Sequence, residues 1–335
     1  MPQPDSASSR EKSRQKKNVI QWQKPMIVMY QAMGLAALGG VYFFGWRALA
    51  VTAVACVAAF ATEWAFCRGR GKPVTSAAFV TAVLLALSLP PTVPLWMVAV
   101  GAIVAIMFSK EVFGGFGRNP FNPALTGRCF LYVCFPNAMT GNIWTEPASG
   151  FPGGFARWTT DVMTGATPLD AFKRLGERTD LLDLFLGRTG GSIGATSALL
   201  LILAGVYLVY RRAADWRSMV GALAGAALLS GIFSLSGVQG AAPPLFTLFG
   251  GGFMFVAVYM VTDPVSSGQN RETHWIGSAL VGMITVVLRT FGTFPEGAMF
   301  AVLMVNMFTP LIDFLVREWK QNKKAKAKAA QSEAS

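Results

Sequence analysis

A polar stretch near the middle of the chain, DVMTGATPLD at residues 161–170, has the residue types of a helix start. Thr167 is a candidate N-cap, Pro168 suits the first helical position, and Asp170 stands where a capping box has its acid. A helix N-terminus also attracts anions, because its N–H groups are free and its dipole is positive there. The stretch therefore suits either a plain cap or a phosphate esterified to Thr167.

Four acids lie in apolar segments or at their ends: Glu63, Glu111, Asp263 and Asp313. A carboxylate in lipid costs about 2.5–3.5 kcal/mol, so each of the four is expected to be functional or paired. Glu111 could pair with the adjacent Lys110, Asp263 could cap a helix, and Asp313 could pair with Arg317 four residues later. Glu63 has no obvious local partner, and it is the strongest candidate for a functional acid.

Two short stretches resemble each other, NPALTG at residues 122–127 and DPVSSG at residues 263–268. Each has Asn or Asp followed by Pro, which is a helix-start pattern. Each lies late in its own half of the chain, which suggests inverted repeats whose helix starts meet at a polar site. The alternative is two ordinary and unrelated helix caps.

The amino-acid composition is typical of a membrane protein. Hydrophobic residues make up 53% of the 335 residues and charged residues 14%, against about 25% in soluble domains. The mean hydropathy is +0.45. The net charge of +12 would suggest nucleic acid in a soluble protein, but cytoplasmic loops of membrane proteins concentrate Lys and Arg, so we expect no nucleic acid.

Ten apolar segments predict an all-α polytopic membrane protein with about ten transmembrane helices, built as two five-helix inverted repeats with broken half-helices. Most of the 29 Lys and Arg fall on one side of this scheme, which predicts a multi-pass membrane protein with both termini cytoplasmic. We expect a basic tail at 1–25, one transmembrane domain at 26–316 with a long outer loop at 137–192, and a second basic tail at 317–335. The segments are 26–45, 47–66, 75–90, 92–109, 122–136, 193–211, 217–236, 246–262, 274–290 and 296–316.

Several kinds of site are disfavoured. The chain has one histidine, which excludes a bis-His haem, and its four cysteines form no CxxC pair, so we predict no metal site. The glycine-rich GGFG at residues 114–117 lacks the GxGxxG spacing of a dinucleotide site.

Four motifs resemble a known family. DVMTGATPL at 161–169 is similar to the flavin-attachment motif of the NqrB/RnfD family, whose members are membrane subunits of the Na⁺-translocating NADH:quinone oxidoreductase and of the Rnf complex. The other three are PPTVPLW at 90–96, KEVFGGFGRNPFNPALTGR at 110–128, and the region from TDPVS at 262–266 to PLID at 310–313. The second and third stretches favour the Na⁺-pump branch of the family over the Rnf branch.

The resemblance implies which residues act. It implies FMN attached through a phosphoester to Thr167, supported by Asp161, Thr164, Gly165 and Ala166, and a non-covalent riboflavin near Asn119 and Asn122. It further implies Na⁺ movement involving Glu63, Asp263 and Asp313, and electron transfer towards quinone in a six-subunit membrane complex. NADH would be oxidised on another subunit, and a flavin transferase would be needed for maturation.

Some positions and functions stay open. A second Gly-Ala-Thr ends at Thr196 without a following Pro, and we interpret Thr196 as a helix-start residue. Ala195 stands where the family has an acid. The rival functions are an Rnf-type ferredoxin:NAD⁺ oxidoreductase subunit, a small-solute channel of urea-channel-like architecture, and a passive membrane anchor.

Overall fold

The fold is known from a computed structural model, which describes residues 19–140, 143–148, 150–160, 167–250, 252–292 and 297–333. These residues are mostly helical and include several long apolar helices, which confirms the predicted all-α polytopic class. Asp161, Thr164, Gly165 and Ala166 lie outside the described residues.

The helices and strands follow one another in a simple order along the chain. The first half contains β1 (Ile20–Gln21), α1 (Lys24–Phe44), α2 (Arg47–Arg70), β2 (Val74–Thr75), α3 (Ala77–Ser88), α4 (Leu95–Ile106, continued by a π-helical turn at Met107–Glu111) and α5 (Pro123–Cys134). The connection holds α6 (Pro136–Met139), α7 (Pro168–Leu175) and α8 (Leu181–Leu186). The second half contains α9 (Ala198–Tyr210), α10 (Trp216–Leu235), α11 (Pro244–Phe249), α12 (Phe253–Phe255, continued by a π-helical turn at Val256–Met260), α13 (Arg271–Phe291) and α14 (Ala298–Glu333).

Each of the ten predicted apolar segments corresponds to a helix or a helix pair in the part of the chain that the structure describes. Five of these helices, α1, α2, α10, α13 and α14, are long and apolar enough to cross a membrane alone. The others are short. Helices α3, α4 and α5 have 12 residues each, which is about 18 Å of helix against a hydrocarbon core of about 30 Å.

The eighth segment is broken, at a place that sequence analysis did not single out. Helix α11 ends at Phe249 and α12 begins at Phe253, with Gly252 in the left-handed region (φ 68°) between them. A residue with a side chain would be strained there, whereas glycine adopts this conformation readily. The backbone groups freed by the break need partners inside the protein.

Contacts between connections divide the molecule into two faces. On the first face, β1 pairs in parallel with β2, and Arg317 of α14 donates to Gln269. Met26 of α1 and Pro264 line one cavity, so the beginning of α1 and the connection before α13 lie on the same face. We call this the tail face. On the opposite face, Trp46 Nε1 donates to Phe155 of the long connection; we call this the loop face.

The two halves repeat one pattern of contacts. In the first half α2 packs against α3 and α4, and α4 packs against α5. In the second half α10 packs against α11 and α13, and α13 packs against α14. Because five crossings separate equivalent helices, the second copy runs in the opposite direction, which agrees with the predicted inverted repeat.

The two similar stretches at 122–127 and 263–268 are not equivalent positions in this repeat, and the sequence-based pairing of them was wrong. The first lies between the fourth and fifth helices of its half, whereas the second lies between the third and fourth. Only Asn122 starts a regular helix; Asp263 starts a single turn. They nevertheless meet, since Asn122 Nδ2 donates to the carbonyl of Met260 at 3.4 Å.

Small residues allow α10 and α13 to approach closely. A Cβ on Gly225 would lie 2.4 Å from the carbonyl oxygen of Ala279, and a Cβ on Gly282 would overlap the carbonyl of Ala222. In lipid, helix association depends on such backbone approach rather than on the hydrophobic effect. This contact fixes the second half and the broken helix that packs on it.

Candidate functional site

Thr167 begins helix α7 on the loop face. Its hydroxyl accepts a hydrogen bond from the N–H of Asp170 at 3.2 Å, and Pro168 holds the first helical position, so the predicted N-cap is confirmed. The residue is 7% exposed. The hydroxyl thus lies at a helix N-terminus, which is favourable for an anionic ester.

A wide cavity opens beside this helix. It has a volume of about 790 Å³ and is lined by residues of α7, the end of α1 and the long connection, among them Tyr42, Trp144, Pro168, Ala171 and Arg188. Aromatic walls with a guanidinium nearby suit a planar, polar ring system. The cavity is large enough for a group the size of a flavin, since small-molecule sites usually measure about 300–1,000 Å³.

Helix α7 is anchored to the second repeat. Lys173 Nζ donates to the carbonyl of Arg289 at 2.9 Å and also to that of Gly292, at the C-terminal end of α13. An ammonium there satisfies carbonyls that the helix leaves free and complements its dipole. Burial lowers the pKa of Lys173, although the carboxylate of Asp170 raises it in part.

Arg289 holds the break in the eighth segment. Its guanidinium donates to the carbonyls of Thr247 (2.8 Å) and Gly250 (3.2 Å), and it lies over the ring of Phe253. It therefore binds backbone groups that the interrupted helix leaves free. Sequence analysis did not identify this role.

Thr196 does not cap a helix. Helix α9 begins at Ala198 and its N-cap is Ser197, which accepts a hydrogen bond from Leu200 N–H at 3.4 Å. Thr196 instead donates to the carbonyl of Ser192 at 2.9 Å. The interpretation of Thr196 as the helix-start residue was therefore wrong by one position.

Asn122 and Asn119 lie near the tail face. Asn122 Oδ1 accepts from the N–H groups of Ala124 (3.1 Å) and Leu125 (3.3 Å), so the predicted cap of α5 is present. Asn119 Nδ2 donates to the carbonyl of Phe121 at 3.2 Å. Both residues line a cavity of about 50 Å³, which we call the inner cavity.

A buried ion pair joins Glu63 and Lys110. Glu63 Oε2 accepts from Lys110 Nζ at 2.5 Å, and Glu63 Oε1 accepts from the N–H and hydroxyl of Thr75 at 2.8 and 2.6 Å. The two charged residues are 0% and 2% exposed. The alternative in which Lys110 pairs with the adjacent Glu111 is wrong, because adjacent residues on a helix point in different directions.

Glu111 pairs with Arg70 instead. Arg70 donates to the Glu111 carboxylate at 2.7 Å and to its carbonyl at 2.8 Å. Glu63, Cys67 and Glu111 each place one ligand atom within 4.8 Å of the others, a cluster that sequence analysis did not foresee when it predicted no metal site. Glu63, Cys67, Arg70 and Glu111 line a cavity of about 650 Å³, which we call the outer cavity of the tail face.

The remaining two acids have different surroundings. Asp263 lines the inner cavity and accepts from Ser266 hydroxyl (2.7 Å) and Val265 N–H (3.3 Å). Burial raises the pKa of Asp263, and these hydrogen bonds lower it in part. The acid therefore stands at the wall of the inner cavity, at the start of a turn.

Asp313 is surrounded by hydrogen-bond donors. Its oxygens accept from Gln269 N–H (2.9 Å), from the N–H and side-chain amide of Asn270 (3.3 and 2.8 Å) and from Thr273 hydroxyl (2.6 Å). The considered pairing with Arg317 is replaced by these bonds, since Arg317 donates to Gln269 Oε1. Asp313 thus ties α14 to the beginning of α13.

Comparison with known proteins agrees with the sequence motifs. The profile of the NQR2, RnfD, RnfE family matches residues 11–321. A protein of Pseudoalteromonas atlantica is 37% identical over 295 residues, which is 85% of this chain and 71% of the relative. A protein of Pseudomonas aeruginosa is 40% identical over 262 residues, 76% of this chain and 63% of the relative.

A third relative, from Neisseria meningitidis, is 34% identical over 296 residues, 85% of this chain and 69% of the relative. All three are named as the B subunit of the Na(+)-translocating NADH-quinone reductase. The chain thus spans 63–71% of the length of these relatives. The extent of the match and the degree of identity show that the chain belongs to the NQR2, RnfD, RnfE family.

Proposed function

We propose that the chain is a membrane subunit of a Na⁺-translocating NADH:quinone oxidoreductase, that it carries covalent FMN on Thr167, and that it passes electrons towards quinone. The observation that carries this proposal is Thr167 itself, a buried helix N-cap beside a cavity of 790 Å³. The names of the relatives and the family membership support the wider function. NADH would be oxidised on another subunit.

The local chemistry fits a flavin phosphate. An ester at Thr167 would replace a neutral acceptor by an anionic one at the N-terminus of α7, where Asp170 N–H already points. Lys173 would keep that helix docked on α13, and the aromatic wall of the neighbouring cavity would shield the ring. The bound flavin would supply one-electron and two-electron redox chemistry.

The second proposed flavin, riboflavin at Asn119 and Asn122, finds suitable groups but little room. Asn side chains offer both donors and acceptors to a flavin edge. The inner cavity of about 50 Å³ is far smaller than a flavin site, and Asn122 is already engaged as a cap. Binding there would require the cavity to widen, for example by movement of Phe116, which borders it.

Among the ion-path candidates, Glu63 and Asp263 are the better supported. Both line cavities at the tail face, and hard cations prefer carboxylate oxygens. Asp313 faces donors rather than acceptors, so we assign it the task of holding the connection between α12 and α13 in place. In this proposal the tail face is cytoplasmic in the bacterial inner membrane and Thr167 lies outside, with the 1–25 and 317–335 tails both inside.

Flavin fluorescence of the denatured chain on a gel tests the proposal. The host must contain a flavin transferase, and the partner subunits of the proposed six-subunit complex should co-purify. A fluorescent band that is lost in Thr167→Ala and kept in Thr196→Ala is the expected result. Thr196 is a matched control, because it is also a buried threonine that follows Gly-Ala.

A dark wild-type band from such a host would contradict the proposal, and a channel-like function of the same inverted-repeat fold would replace it. Co-purification with Rnf subunits would instead assign the chain to that complex. Quinone reduction that depends on Na⁺ in the purified complex is the further expected result.

A further inference from the structure

The ion pair between Glu63 and Lys110 separates two cavities. Glu63 lines the outer cavity, whereas Lys110 lines the inner one, and Phe116 borders both. The pair is almost completely buried, and buried ion pairs are costly to break unless another charge takes the place of the lost partner. Glu63 is therefore placed to respond to an ion in the outer cavity, and Lys110 is placed to respond to a charge in the inner cavity.

The ammonium of Lys110 occupies a site that would suit a free cation. It contacts Glu63 Oε2 at 2.5 Å and Thr75 Oγ1 at 2.7 Å, and Glu63 Oε1 is held by Thr75. Oxygen atoms of carboxylates and hydroxyls are the ligands that hard monovalent and divalent cations prefer. The outer cavity of 650 Å³ gives a hydrated ion access to this carboxylate from the tail face.

The charges around the two cavities do not balance. Three carboxyl groups, Glu63, Glu111 and Asp263, face two basic groups, Arg70 and Lys110. With all five ionised the net charge is −1, which one monovalent cation would neutralise. Lys72 also borders the outer cavity, but unlike Arg70 it is not paired with a carboxylate among the described residues, and solvent screens its exposed side chain.

The two basic residues differ in mobility. Arg70 is fixed, since it donates to both the carboxylate and the carbonyl of Glu111. Lysine is a compact charge on a flexible four-carbon stem. Lys110 lies between Glu63 and the inner cavity, where Asp263 offers a second carboxyl group.

We propose that Lys110 is a tethered cation that competes with Na⁺ for Glu63. A sodium ion arriving through the outer cavity binds the Glu63 carboxylate and displaces the ammonium, which moves towards Asp263. The ammonium pairs there with the ionised Asp263 carboxylate, so every charge keeps a partner. No covalent bond changes, and one cation replaces another at Glu63. The choice of Na⁺ rests on the proposed function.

Cation-dependent thermal stability of the purified complex tests this inference. Wild type, Lys110→Met, Lys110→Arg and the double variant Glu63→Gln/Lys110→Met are compared in NaCl, KCl and choline chloride at equal ionic strength. All variants are purified in NaCl and then exchanged, so that a variant that needs Na⁺ for folding remains measurable. Ligands that bind the folded state raise Tm with concentration, which gives the apparent Kd.

Removal of the competitor should strengthen binding. We expect the apparent Kd for Na⁺ to fall at least tenfold in Lys110→Met, because nothing then occupies Glu63. In Lys110→Arg we expect it to rise, since a guanidinium holds a carboxylate through two parallel bonds. The double variant reports the background of all other Na⁺ sites, and its Na⁺ response should fall below that of wild type.

Three results would overturn the inference: an unchanged Kd in Lys110→Met, a Kd in Lys110→Arg no higher than wild type, or a wild-type response in the double variant. A structural role alone would lower Tm equally in all salts. Failure of the proposed function would be recognised separately, because the flavin band on Thr167 does not depend on Lys110. A dark gel with a tighter Na⁺ site in Lys110→Met would retain the competition and reject the redox role.

Discussion

Replacement of Asp313 by alanine should destabilise the tail face, because this carboxylate holds α14 to the start of α13. Hydrogen bonds to a charged group contribute about 1.5–3 kcal/mol each, but the exposed Gln269 and half-buried Asn270 can turn to water. Thr273 is fully buried, so its hydroxyl would lose a bond of 2.6 Å without replacement. We expect a loss of about 3 kcal/mol in the free energy of unfolding, seen as a fall in Tm of several degrees.

Asp180→Ala is the matched control. Asp180, like Asp313, is an acid that accepts a hydrogen bond from a backbone N–H near a helix start, but it is exposed and accepts one bond, from Leu182 N–H at 3.3 Å. Loss of such a cap costs about 0.5–1 kcal/mol. Thermal unfolding of the purified complex, with Na⁺ and with choline, separates stability from cation binding. An Asp313→Ala protein that unfolds at the same temperature as Asp180→Ala but has lost its response to Na⁺ would refute the structural role, since Asp313 would then act as a cation ligand.

Three further changes test the scaffold. Lys173→Met should free α7 from the end of α13 and reduce the free energy of docking by about 1 kcal/mol. Faster proteolysis of the long connection would detect this change. An unchanged rate of proteolysis would mean that α7 docks by other contacts. Gly282→Val should prevent the close approach of α10 and α13, reduce the free energy of unfolding by about 3 kcal/mol or more, and lower Tm sharply. Gly69→Ala is the control and should leave Tm unchanged, because a Cβ at Gly69 meets nothing within 4 Å. Equal effects of the two changes would argue against close packing at Gly282. Arg289→Gln should leave the carbonyl of Gly250 without its donor and reduce the free energy of unfolding by about 3 kcal/mol. Hydrogen exchange around the break should increase. Normal protection from exchange would show that water or another group donates to this carbonyl.

Sequence patterns predicted what depends on near neighbours. The ten apolar segments follow from composition along the chain, and the caps at Asn122 and Thr167 follow from a residue and its next three positions. These features are local, so one sequence contains enough information to place them.

The contacts that were missed connect distant parts of the chain. Lys110 and Glu63 are 47 residues apart, and Asp313 lies 40 or more residues from its donors. The sequence did indicate that Lys110 does not pair with Glu111, since a lysine beside an apolar segment cannot face its immediate neighbour on a helix. Its partner had to come from another helix, although the sequence could not identify which.

The inverted repeat relates the Glu63–Lys110 site on the tail face to an equivalent site on the loop face. Glu63 is hydrogen-bonded to Thr75, twelve residues later and just before the third helix. Ser230 is hydrogen-bonded to Ala242 at the corresponding position of the second half, also twelve residues later.

A basic residue ends the fourth helix in both halves, Lys110 on the tail face and Arg289 on the loop face. Arg289 binds backbone carbonyls, which carry no net charge and which a broken helix must keep satisfied, whereas Lys110 binds a carboxylate that a cation can take over. In the proposed competition at Glu63, Lys110 on the tail face is the exchangeable charge, whereas Arg289 on the loop face stays bound to carbonyls of the broken helix. Such an asymmetry is what directional cation uptake from one side of a membrane requires.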